Sequence, residues 1–247
     1  MSDPIRAAAQ RQLPKRFYTA VQVEPKAGGF HVLLDGRPVR TPAKAELGLP
    51  SAELAAAVAA EWEAQGAHID PSAMPLTRIA NSSIDGVSRR RAEVEDEIAR
   101  YAANDLVAYR AEAPEALARR QAEAWDPIVA WAAGQLGVAP VVGTGIVHIA
   151  QSPGLAGAVK ARLAATDPFA LAALHVITTL TGSALLALAH AHGAIGAEAM
   201  WTAAHIDEDF QIEQWGWDAE ASQRRAARER EMLAAVRVLA ACAPAAP

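Results

Sequence analysis

Phe17-Tyr-Thr-Ala-Val-Gln-Val-Glu24, followed by Pro25-Lys-Ala-Gly-Gly29 and then Phe30-His-Val-Leu-Leu-Asp-Gly-Arg-Pro-Val-Arg40, is the stretch that decides the fold class of this chain. Side chains point to opposite faces of a strand in turn, so Phe17, Thr19, Val21 and Val23 alternating with polar positions, and Phe30, Val32 and Leu34 after them, predict a hairpin turning between Glu24 and Gly29. Asp35-Gly36 carries the signature of a type I′ turn, and a third short strand over Arg37 to Arg40 ends at Thr41-Pro42. A sheet this small is marginal until something covers its apolar face. The cover comes next. Pro50-Ser51 with Glu53 opens a helix that runs to Gln65 and closes at Gly66, with Leu54, Val58, Glu61 and Trp62 on one side. Trp62 is expected to pack that helix onto the hairpin.

Beyond Met74-Pro75 the pattern turns helical. Leu76 to about Arg110 reads as one long helix interrupted near Asp85-Gly86, and a second helix begins after Pro114 and ends near Gly137. Val138 to Ile149, rich in Val and Gly, is the later strand candidate. Helices follow over Pro153 to Ala165, Pro168 to Ala191, Ala197 to about Trp217 and Ala219 to Ala240. The fold class is therefore α+β: a small amino-terminal antiparallel β-sheet domain with covering helices, residues 1–112, then an all-α helical bundle, residues 113–247.

Composition narrows the function. With 52% hydrophobic residues over 247 positions a sizeable core is available, and disorder does not describe the chain. Lys and Arg number 23 against 28 Asp and Glu, giving a net charge of −5, so no basic excess draws it to nucleic acid. The single Cys242 excludes a disulfide framework and a thiol zinc site. Arg6, Arg11, Lys15 and Arg16 are not followed by an apolar core, so no secretory signal is read. Phe169 to His190 carries no formal charge and has the length of a membrane span. Thr178, Thr179, Thr181, Gly182 and Ser183 dilute it, and a central bundle helix explains it better than stable membrane insertion.

Catalytic and cofactor motifs are missing. Gly143-Thr-Gly145 and Gly28-Gly29 are too sparse for a phosphate loop, and Ser82-Ser83 lacks a nucleophile elbow. His190 and His192 point in different directions on a helix. No cofactor or metal is expected. The charge runs Arg89 to Glu97 and Arg224 to Glu231 read as solvated helix faces.

Trp201-Thr-Ala-Ala-His-Ile-Asp-Glu-Asp-Phe-Gln-Ile-Glu-Gln-Trp-Gly-Trp217 is the segment whose pattern departs from an ordinary amphipathic helix. Read as one helix it is apolar on two sides. Trp201, His205, Glu208, Ile212 and Trp215 share one face, assigned to the interior, with Glu208 tied to His205 or a nearby Arg. Ile206, Phe210, Glu213 and Trp217, flanked by Asp209, share the other and are the candidate partner surface. His205, Glu208 and Asp209 also admit an acid–base or metal-dependent enzyme as the alternative.

Lys15-Arg-Phe-Tyr, Leu34 through Pro42, Glu61-Trp-Glu-Ala-Gln65, Asp70-Pro, Met74-Pro-Leu-Thr-Arg78, Asn81 and Asp207 through Trp217, taken in order, resemble the assembly chaperones that bind the alpha subunit of the ATP synthase catalytic head, the assembly factor 2 family. The resemblance implies a non-enzymatic bacterial protein, monomeric when free and cytoplasmic (in the mitochondrial matrix in a eukaryote). It would hold the free alpha subunit, prevent its aggregation and leave when the beta subunit arrives.

Overall fold

A computed structural model of the chain describes residues 13–242. Strands β1 (Val21–Lys26) and β2 (Gly29–Leu34) pair antiparallel with Lys26 opposite Gly29, a two-residue hairpin. Asp35 and Gly36 have φ of 48° and 77°, the pair of positive values a type I′ turn requires. Asp35 suits the turn for a second reason. Its carboxylate accepts the backbone N–H of Ala20 at 2.8 Å and of Thr19 at 3.1 Å, and these bonds, Ala20 first, hold it below the usual carboxylate range. Strand β3 is only Arg37–Pro38, and β4 (Gly48–Leu49), which the sequence pattern does not announce, completes the sheet against β2. Gly29 makes room for it: a Cβ there would lie 2.4 Å from the Leu49 carbonyl oxygen. Strand β2 is consequently central, with Val32, Leu33 and Leu34 all buried, while β1 is an edge whose Val23 remains 38% exposed.

Helix α1 (Ala52–Glu63) covers the sheet. Ser51 caps it, its Oγ accepting from Leu54 N at 3.2 Å, and Leu54 and Val58 are fully buried. Trp62 meets Tyr18 edge-on, ring centroids 5.7 Å apart, and the Tyr18 hydroxyl donates to the Trp62 carbonyl at 2.6 Å. Glu61 has a different task. Its carboxylate accepts Leu76 N at 2.7 Å, Thr77 N at 2.8 Å and the Thr77 hydroxyl at 2.7 Å, closing the amino-terminus of α2 (Pro75–Ser82). Burial pushes this carboxyl up despite those bonds.

The interruption expected near Asp85-Gly86 is a π-helical turn, Ser83–Val87, before α3 (Arg91–Ala103). Asp85 accepts from the Thr41 hydroxyl at 2.7 Å and from Ala43 N at 2.9 Å, tying this turn to the sheet. Helix α3 stops short of Arg110. The wholly buried Asp105 accepts Val107 N at 3.2 Å and Leu185 N at 3.0 Å, and a side chain that takes backbone donors offers them an alternative to the helix. Strand β5 (Tyr109–Arg110) pairs parallel with β6 (Gly143–Thr144), to which the Val138–Ile149 candidate contracts.

Helices α4 (Glu115–Leu136) and α5 (Pro153–Leu163) follow. The helix expected over Pro168 to Ala191 is two, α6 (Pro168–Thr181) and α7 (Ala184–Ala191). Gly182 at φ 71° ends the first, and the Ser183 hydroxyl caps the second by accepting Leu186 N at 2.9 Å. Then come α8 (Ala197–Ala204), α9 (Ile206–Trp215) and α10 (Ala219–Ala241). Helix α10 lies along α6 and reaches α2 and α1, while α3 packs on α5 and α6. The buried side chains of the sheet part and the helical part thus form one continuous core. The boundary expected at residue 112 falls between β5 and α4. Among the described residues no helix is long and apolar enough to cross a membrane.

Candidate functional site

The segment Trp201 to Trp217 is not one helix, because it breaks at His205, where φ is −121° and ψ is 18°. In an unbroken helix the Trp201 carbonyl would accept the N–H of residue 205. Here it accepts from the His205 ring instead, Nδ1 to O at 2.8 Å, so Nδ1 carries the proton, while the His205 backbone N–H goes to Thr202 O at 3.1 Å. The imidazole also packs on the Trp201 indole, centroids 3.8 Å apart, and burial lowers its basicity. The break frees the Ala203 carbonyl, which accepts from the buried Trp125 Nε1 at 2.8 Å. Asp209 N donates to His205 O at 2.8 Å and starts the new helix.

That break redistributes the expected faces. Trp215, assigned to the interior, is 87% exposed, and this is a correction: the second helix begins in a new direction, so residues ten positions past the break no longer follow Trp201 into the core. Ile206, placed on the open face, is buried, since it forms the first turn against the core. Glu208 does not hold His205. It is exposed and lies 3.9 Å from Arg228. Asp209 is ion-paired to Arg225, and Glu213 accepts from Arg120 at 2.7 Å, a bond that holds its carboxyl below the usual range. The same Arg120 guanidinium stacks 5.3 Å above the ring of the half-buried Phe210. Asp207 accepts from Gln121 at 2.6 Å. Helix α9 is therefore fastened along α4 by polar contacts through Arg120 and Gln121, whose role the sequence pattern does not disclose.

What remains open is aromatic. The helix ends at Trp215, Gly216 turns the chain with φ 84°, and Trp217 is 70% exposed. The two indoles, with Ile212 and the stem of Arg228, border a groove of about 450 Å³ between α9 and α10. Its cations are largely matched: Arg225 faces Asp209, Arg224 faces Glu220 at 2.5 Å, and Arg228 donates to the Leu180 carbonyl at 2.7 Å. Large exposed aromatics on a well-anchored element are characteristic of a surface awaiting a protein partner. His205, Glu208 and Asp209 do not converge on a common point, and among the described residues no three His, Cys, Asp or Glu side chains gather as a metal site.

A family model described as ATP12 chaperone protein matches residues 15–133. Atp12 from Paracoccus denitrificans is 43% identical, with a TM-score of 0.85 over 93% of this chain and 99% of that one. A mutant of the same Paracoccus protein aligns with the same TM-score of 0.85 and covers 93% of this chain and 98% of that one. An Agrobacterium tumefaciens protein proposed to be a chaperone is 46% identical, with a TM-score of 0.87 over 98% of this chain and 92% of that one. Identity at this level over more than nine-tenths of its length means that the chain belongs to the ATP12 chaperone family.

Proposed function

We propose that this chain is an assembly chaperone that binds the free alpha subunit of the ATP synthase catalytic head and keeps it from aggregating until the beta subunit takes its place. It acts as a monomer in the bacterial cytoplasm, where the catalytic head is put together. The observation that carries the reading is the corner at Gly216, where Trp215, the last residue of a helix whose acidic side chains already have partners, and Trp217 just past it stand in water. Such a surface supplies contact area without a net charge to desolvate, so it can be covered and uncovered again. The family relationship supports a role in ATP synthase assembly, and the client proposed here is an alpha subunit whose own apolar face is bare before assembly.

Light scattering of alpha subunit diluted from denaturant tests the proposal. Scattering is expected to fall in stoichiometric proportion to added chaperone, without nucleotide. Equal scattering with and without the protein refutes it. The acid–base alternative built on His205, Glu208 and Asp209 has no geometric support, because a backbone carbonyl and two arginines occupy these groups separately.

A further inference from the structure

A second groove, about 650 Å³, runs between α1, the start of α2 and α10. Its α1 wall is formed by Ala57, Ala60 and Ala64, which share a helical face at steps of three and four and present almost no side chain. Its α10 wall is the stripe Arg230, Leu233, Arg237, with Leu233 48% exposed.

The charges of the two walls are unequal in their commitments. Arg224, Arg225 and Arg228, earlier on α10, are all engaged by carboxylates or a carbonyl. Of the two acidic side chains at the groove, Glu231 is ion-paired to Arg78 and Glu61 is spent on the α2 amino-terminus. Arg230 and Arg237 have no ion pair or hydrogen bond among the described residues. In a chain with net charge −5, this groove therefore shows two uncommitted positive charges seven residues apart, about 10 Å along the axis, on either side of an exposed leucine.

We infer that this groove is a second docking surface for the client, receiving an amphipathic helix whose acidic side chains meet Arg230 and Arg237 and whose apolar face lies on Leu233 and the alanines. The inference rests on the proposed chaperone reading and adds to it where on the chaperone an acidic helical segment of the alpha subunit binds. A helix fits because the alanine wall allows close approach of a second helix, and two cations seven apart match carboxylates two turns apart on it. Other occupants match less well. A second copy in a symmetric contact would set these arginines against their own equivalents. The outlying stretches of sequence, 1–12 and 243–247, contain a single acidic residue, Asp3, against Arg6 and Arg11.

The test measures alpha-subunit affinity by titration at low and at high salt for the parent, for the double variant Arg230→Glu/Arg237→Glu, and for Ala60→Phe, with melting recorded for each. All three changed positions are exposed, so melting should hold. The charge reversal is expected to weaken binding roughly 10- to 100-fold and to abolish most of the salt dependence, and Ala60→Phe to weaken it by filling the groove. Parent and both variants binding alike overturns the inference and leaves the chaperone function standing. A parent that does not bind the alpha subunit refutes the function itself. Sedimentation showing a parent dimer that dissociates on charge reversal assigns the groove to a second copy and likewise overturns the inference.

Discussion

At Trp215 and Trp217 the physical question is why two of the costliest side chains to hydrate are left in water. Each indole buries roughly 150–250 Å² when covered, and a truncated aromatic anchor at an interface centre costs about 2–4 kcal/mol of binding. In the free protein the same truncation removes almost no contact. Trp215→Ala and Trp217→Ala should therefore shift unfolding free energy by less than about 0.5 kcal/mol while weakening alpha-subunit binding by about 2 kcal/mol or more. Calorimetric titration beside thermal melting separates the two quantities, and full affinity in either variant removes that residue from the contact. Glu213→Gln serves as the control. Arg120 already neutralises this exposed carboxylate, so the change should leave both melting and affinity close to those of the parent.

Among the elements, those fixed by local chemistry were legible in the sequence and those fixed by distant partners were not. The hairpin and its type I′ turn follow from alternation and Asp35-Gly36, and the Ser51 cap from the residues beside it. Strand β4 is two residues long and has no period to detect; it exists because Gly29 admits it. The break between α6 and α7, inside what the pattern reads as a single helix, has a local signal in Thr181-Gly-Ser183, whereas the break at His205 depends on an imidazole bonding the Trp201 carbonyl and on Trp125 from another helix capturing that of Ala203. Reading the segment without that break reverses Trp215 and Ile206 between interior and surface. Where the reading concerned packing within one unit it transfers to energetics. Trp62 joins α1 to the chain entering β1 through Tyr18, and Trp62→Ala should cost about 3–5 kcal/mol of stability. Urea titration measures it; an unchanged midpoint with lost client binding would make Trp62 a contact residue instead.

For the molecule as a whole, Asp105 links parts distant in sequence, gripping Val107 beside it and Leu185 at the start of α7. Complete burial pushes its carboxyl up to about 6 from an ordinary 3.8, against the pull of those hydrogen bonds. The folded state thus holds the proton more tightly than the unfolded chain. The stability this contributes is complete below about pH 4 and is lost as pH rises through about 6, a change of roughly 2–4 kcal/mol. Asp105→Asn removes the titration, so the parent should lose about 2 kcal/mol relative to the variant between about pH 4.5 and about pH 7.5 in urea unfolding, the rest having gone below that window. Parallel pH profiles refute the assignment. The bare corner at Gly216 bears on the protein's own survival at the concentrations a cell maintains. A chaperone that displays indoles risks clumping with its siblings. Two features act against that fate: the display is only two side chains, divided by a glycine that turns the backbone between them, and the net charge of −5 makes approaching copies repel. On the proposed reading these two indoles are one part of a wider contact with a client.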